Sequence, residues 1–177
     1  YLGRVFQDPM TGTAATMDIE ENMAIALRRG EKRTLRWGVS REDRELFREK
    51  LQTLGLGLED RMKQPVGLLS GGQRQAIALL MSTMTPIDFL ILDEHTAALD
   101  PKTAELIMEL TGKIVEEKKL TTIMVTHNLR YAVEYGNRLL MMHQGHAVMD
   151  LEGDEKKNMN VDTILEKFNE ISIECGN

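Results

Sequence analysis

Hydrophobic and polar positions change period several times along this chain, and each change marks an element. Tyr1 to Phe6 reads as a short strand. Asp18 then offers an N-cap with Glu21 at capping-box spacing, Ile19, Met23, Ala26 and Leu27 line one helical face, and Gly30 stops the helix. Ser40 with Asp43 predicts a second cap, Leu46, Phe47, Leu51 and Leu54 the apolar face behind it, and Gly55 and Gly57 its end. An apolar helical run covers Ala76 to Met84, and Phe89-Leu90-Ile91-Leu92 fits a buried parallel strand. Asp100-Pro101 pairs a capping side chain with a proline at the first helical position. Ala104, Ile107, Met108, Thr111, Ile114 and Val115 follow at helical spacing to about Lys118. Thr121 to Val125 is β-branched and apolar, a second buried strand, so strand, helix and strand form a βαβ unit.

Beyond it, Asn128 to Tyr135 reads as a short helix closed by Gly136. Arg138 to Met142 and His146 to Asp150 flank Gln144-Gly145 as a hairpin. Leu151 to Asn160 is polar and reads as a flexible connector, and Val161 to Ile171 as a terminal amphipathic helix. The fold class is α/β. Residues 8–67 form a helical insertion, 68–150 the α/β core portion and 151–177 a C-terminal connector and helix, all within one domain.

Composition narrows the class. With 42% hydrophobic and 28% charged residues in 177, the chain has room for one sizeable core. No run approaches a membrane span, so a membrane role requires docking on another subunit. The single Cys175 rules out an internal disulfide. A net charge of −6 argues against nucleic acid as the main partner. Phosphate binding must then be local, through loops and helix ends.

Two stretches supply such chemistry. Leu69-Ser70-Gly71-Gly72-Gln73 is a small-residue turn opening a helix, where backbone N–H groups and the positive end of the helix dipole meet an anion. Asp93 and Glu94 end the strand Phe89 to Leu92, one placed to hold Mg2+ through water and the other to face an attacking water. His127 sits just past the strand Thr121 to Val125, and Gln7 just past the first strand. His143 and His146 have H-x-x-H spacing but flank a turn, and read as turn residues rather than ligands. The basic stretch Glu31 to Val39, holding Trp37, reads equally as a solvated connector or a partner contact.

The residues Leu69 to Gln73 and Leu92-Asp93-Glu94-His95-Thr96-Ala97-Ala98-Leu99-Asp100 resemble the nucleotide-binding subunit of ATP-binding cassette (ABC) transporters. The first stretch is similar to the family signature, Asp93-Glu94 to the Walker B end and Ala98 to Asp100 to the D-loop. Gln7 resembles the Q-loop glutamine and His127 the switch histidine. The implied fold is a P-loop NTPase-like (RecA-like) parallel-sheet core with an inserted helical subdomain. No G-x-x-x-x-G-K-[ST] occurs, so the Walker A segment is absent and the chain reads as N-terminally truncated, the C-terminal two-thirds or so of a larger domain.

The resemblance implies ATP hydrolysis with ATP and Mg2+. Glu94 and His127 would be catalytic, the latter by touching the γ-phosphate. Gln7, Ser70, Gly71, Gly72, Gln73, Asp93 and Asp100 would bind nucleotide, and Gln7 and Asp93 would serve Mg2+. It implies a second copy closing head-to-tail over ATP, a transmembrane permease subunit and a solute-binding protein. The expected place is cytoplasmic, on the inner face of the membrane, in a bacterial importer for a small solute. The alternatives are a translation-factor type of ABC ATPase and an inactive module that only binds partners. Two departures stand out: His95 replaces the usual Pro, and Ala76 stands where Arg is common, which implies a lost surface salt bridge.

Overall fold

Residues 1–32 and 38–174 are described by a computed structural model, so Trp37 and Cys175 lie outside the described residues. The chain divides into two compact units, Tyr1–Val125 and Thr126–Asn177.

The first unit contains β1 (Leu2–Val5), α1 (Ile19–Leu27), α2 (Arg41–Gln52), a 3₁₀ turn (Val66–Leu68), α3 (Gly71–Thr83), β2 (Phe89–Asp93), α4 (Pro101–Lys118) and β3 (Thr121–Val125). The strands form one parallel sheet in the order β1-β2-β3. Val5 pairs with Leu92 and Asp93 with Val125, so all three strands end at one edge. Ligands of open parallel sheets bind outside that carboxyl edge.

Side chains alternate across the sheet. Val5, Leu90 and Leu92 are buried in one core with Ile77 and Leu79 of α3 and Ile107 and Leu110 of α4. The opposite face carries Leu2, Arg4, Ile91, Asp93, Ile123 and Val125. There Leu2, Ile123 and Val125 are about half exposed, so β3 is not the buried strand its composition predicts. α3 and α4 share the core with alternate strand positions, and the positions between them stay partly exposed.

The capping expectations hold in detail. Asp18 with Glu21 and Ser40 with Asp43 each form a reciprocal capping box. Asp100 accepts from the Thr103 N–H, with Pro101 at N1. The helical arm joins the same core through Ile19, Met23, Phe47, Leu51, Leu54 and Leu58. Its one buried charge among the described residues is well partnered. Glu20 accepts from Arg44 Nε at 3.1 Å and from Lys63 Nζ at 2.5 Å. Burial alone would raise the Glu20 pKa, yet the two cations hold it below the ordinary value.

α3 starts at Gly71, five residues before its apolar run, because Ser70 and Gln73 cap it reciprocally. Ala76 is fully buried, which corrects the expected surface salt bridge: this position faces the core, and a charge here would need a buried partner.

The second unit comprises α5 (Leu129–Glu134), β4 (Arg138–His143), β5 (His146–Glu152), α6 (Gly153–Lys157) and α7 (Val161–Glu174). β4 and β5 form the expected hairpin, with Gln144 and Gly145 at φ 46° and 80° in the doubly left-handed turn that suits right-twisted strands. The expected flexible connector is instead ordered. Gly153, at φ 57°, turns β5 directly into α6, where the buried Lys156 ammonium donates to the Val133 carbonyl.

Candidate functional site

The tip of β2 carries the acidic pair. Its last residue, Asp93, lies on the open face of the sheet, diagonal to Arg4 of β1, whose guanidinium donates to Asp93 Oδ2 at 2.7 Å. Arg4 also stacks over Phe6, 4.6 Å from the ring centroid. A carboxylate expected to face Mg2+ is thus engaged by a cation of its own chain. This arginine was legible only as a charge inside an apolar strand.

Glu94 follows with φ at 45°, a left-handed conformation costly for a residue with a side chain. Its N–H donates to the Val125 carbonyl at 2.9 Å, and its own carbonyl accepts from Ala97 N–H at 2.9 Å. These bonds turn the chain sharply just past the strand. His95 next in line is buried, with Nε2 3.2 Å from Thr111 Oγ1 on α4. Burial pushes its pKa down to about 4.

Gln7 lies exposed two residues past β1. The backbone just before it is tied to α3, because the buried Gln75 donates Nε2 to the Phe6 carbonyl at 3.1 Å. Gln75 escapes a motif search, being a polar residue at a core-facing helical position. A groove of about 290 Å³ opens beside this segment, lined by Arg4, Phe6, Asp8, Pro9, Gly12 and Arg29 among others.

The glycine turn opens α3, with Ser70 as its N-cap and Gly71 and Gly72 in its first turn. Ser70 Oγ accepts from Gln73 N–H at 3.3 Å, and Gln73 Oε1 accepts from Ser70 N–H at 3.2 Å. Both side chains therefore serve the helix cap. The N–H groups of Gly71 and Gly72 are among those every helix N-terminus leaves over. Gly72 also packs tightly: a Cβ built there would sit 2.1 Å from Thr103 Cγ2, and one at Gly71 3.4 Å from Leu99. The first turns of α3 and α4 consequently meet at these glycines, and Asp100 caps α4 beside them. Hydrogen bonds at Thr103 hold the Asp100 carboxyl below the usual carboxylate range.

Gly72→Ala is expected to destabilise the chain by about 1–3 kcal/mol, the range for overpacking a close contact. The change reads out as a lower urea midpoint. An unchanged midpoint would mean that Thr103 simply rotates away.

His127 belongs to the second unit, is exposed, and directly precedes Asn128, the N-cap of α5. His143 and His146 face each other across the hairpin turn. No group of three or more His, Cys, Asp or Glu able to hold a metal occurs among the described residues. The donors at the β2 edge nevertheless fit Mg2+, which takes one or two carboxylates and completes its shell with phosphates and water. Were Asp93 to hold the ion, Arg4 would compete for its carboxylate. In that case Arg4→Gln in the complete protein is expected to lower the half-saturating Mg2+ concentration by about two- to fivefold, what an exposed ion pair is worth. Titration with Mg2+ checks it, and an unchanged value would mean Arg4 does not compete.

A parallel sheet ending in an acidic pair, with a capped glycine turn opening the helix that packs on it, is the α/β core of the nucleotide-binding-cassette fold class. The chain belongs to the ABC transporter family, whose profile matches residues 1–97. It is 47% identical over 167 residues to the tyrosine transport ATP-binding protein of Clostridioides difficile, covering 94% of this chain and 66% of that protein. It is 33% identical to the methionine import ATP-binding protein MetN of Streptococcus pneumoniae, covering 92% of this chain and 45% of the other. Among solved structures, cbiO1 of Clostridium perfringens, part of an ABC transporter complex, matches with TM-score 0.70 and 25% identity over 94% of this chain and 60% of that one. The ATP-binding cassette MJ0796, a dimer bound to ADP and Pi, matches with TM-score 0.69 and 28% identity over 85% of this chain and 62% of its own. The chain thus spans about half to two-thirds of the length of these relatives. Among the described residues no helix is long and apolar enough to cross a membrane.

Proposed function

We propose that this chain is the signature-bearing and acid-bearing part of an ATPase subunit that drives import of a small solute. The observation that supports it best is the tip of β2, where Asp93 ends a parallel strand and Glu94 turns sharply out of it. In this reading Glu94 orients or deprotonates the attacking water. His127 contacts the γ-phosphate. Asp93 and Gln7 would hold Mg2+, which when bound supplies positive charge against the phosphate oxygens. Residues 8–67 act as the helical arm on a core of 68–150, with 151–177 as the C-terminal extension.

The signature residues act on the nucleotide of a second copy. Ser70, Gly71, Gly72 and Gln73 meet its phosphates through the N-terminus of α3, the backbone donors of Gly71 and Gly72 foremost, since both side chains are used in the cap. Asp100, exposed beside that turn, joins the two sites across the dimer. ATP then holds two copies together and its cleavage lets them part. A transmembrane permease docks on the arm, with the basic stretch Glu31 to Val39 and the segment just after Gln7 as its two candidate surfaces, the latter beside the groove, and a solute-binding protein delivers the cargo. The subunit therefore works on the inner face of the cell membrane. The names of the relatives favour an amino acid as the solute.

Mixing two inactive variants of the complete subunit tests this arrangement. Glu94→Gln copies lack the base, and Ser70→Arg copies obstruct the signature turn. In a head-to-tail dimer of one of each, both defects fall in one site and the other site is intact. Turnover should reappear on mixing. If it does not, signature and base act within the same copy and the reading fails.

A further inference from the structure

Glu94 is the only residue of the β2 tip in a left-handed backbone conformation, and such strain persists only where the surroundings fix it. Two of its tethers are the backbone bonds to Val125 and Ala97. The third is the side chain of the next residue. His95 is 2% exposed, and its Nε2 lies 3.2 Å from Thr111 Oγ1 in the middle of α4. Thr111 spends its hydroxyl proton on the Ile107 carbonyl at 2.7 Å. Its oxygen can therefore only accept from His95, so Nε2 carries the imidazole proton. The ring is thus a directed strut between the strand-tip turn and a long helix in the core.

We propose that His95 is a positioning residue for Glu94: held by Thr111, it fixes the turn that aims the Glu94 carboxylate at the attacking water. The proposal rests on the reading of Glu94 as the group that orients that water. Neither His95 nor Thr111 touches nucleotide in this scheme. Their effect falls on the chemical step, because a bound substrate is indifferent to a carboxylate that its water must meet.

The test uses the complete subunit and four variants, with kcat, KM for ATP, affinity for a fluorescent ATP analogue and thermal midpoint measured for each. Thr111→Val keeps the volume and removes the acceptor, and His95→Leu removes the donor. Both should lower kcat about tenfold, within the roughly hundredfold that an ångström of misplacement costs. KM and analogue affinity should stay as in the parent. Thr111→Ser, which keeps the hydroxyl, and His95→Gln, which keeps a donor at similar reach, should restore kcat. A Thr111→Val protein with parental kcat overturns the proposal, whatever its thermal midpoint does. So does a loss of kcat that Thr111→Ser fails to recover. Glu94→Gln run alongside separates the two ideas. If it turns over normally, the reading of Glu94 itself is wrong and the proposal falls with it. If it is inactive while Thr111→Val is normal, only the positioning role is lost.

Discussion

Replacing Glu94 by Gln in the complete subunit is expected to cut ATP turnover by about 10²- to 10⁴-fold, the share general base catalysis supplies. ATP binding should survive. The amide keeps the size of the carboxylate and can still hydrogen-bond, so the turn at φ 45° and its bonds to Val125 and Ala97 have no reason to change. What goes is the charge that accepts a proton from water. With hydrolysis blocked and binding intact, ATP keeps holding two copies together, so the variant should run as a stable dimer in ATP and as a monomer without it. Light scattering with a phosphate-release assay reads both properties. Parental phosphate release would remove Glu94 from the base role. Slow release without a dimer would keep the base and remove the γ-phosphate as the bond between copies.

The order of elements was legible because each boundary has a local cause. Asp18, Ser40 and Asp100 are short polar side chains before helical patterns, and all three cap. Gln144-Gly145 needs two left-handed residues and has them. Motif chemistry was legible for the same reason: residue type and spacing carry it. Long-range partners were not. Nothing in Arg4 announces a contact with a residue 89 positions away. The same holds for Gln75 reaching the Phe6 carbonyl. Gly72 was readable as a residue that lets an anion approach, but the neighbour that demands a glycine is Thr103, which only the packing of α3 on α4 reveals. The misjudged burial of β3 has another cause. Apolar content states what a strand prefers to bury, while exposure depends on which faces are covered. Ala76 failed in reverse, since a family habit of Arg suggested surface where the helix turns its face inward.

Acid should unfold the chain through His95 before it does so through the carboxylates. Burial pushes this imidazole from its ordinary 6.5 down to about 4, and the residue is 2% exposed. Above pH 6.5 the side chain is neutral folded and unfolded, and contributes no slope. Between 6.5 and about 4 the unfolded chain takes a proton that the folded chain refuses. Each pH unit of that window therefore favours unfolding by about 1.4 kcal/mol, for a total of about 3 kcal/mol near pH 4. That is a large fraction of the roughly 5–15 kcal/mol that holds an ordinary domain together. Glu20 and Asp43 have lowered pKa values, so their stabilising pairs are lost only at the acid end, below the ordinary 4.5 and 3.8. The window from pH 6.5 to 5 is where His95 can be read without them. Urea unfolding at half-unit steps across it should show the midpoint falling with acid, and His95→Gln, which has nothing to protonate there, should flatten the curve. A parental curve that is already flat would mean the ring accepts its proton in place, and that the contact with Thr111 tolerates a charge the surrounding core gives no means to solvate.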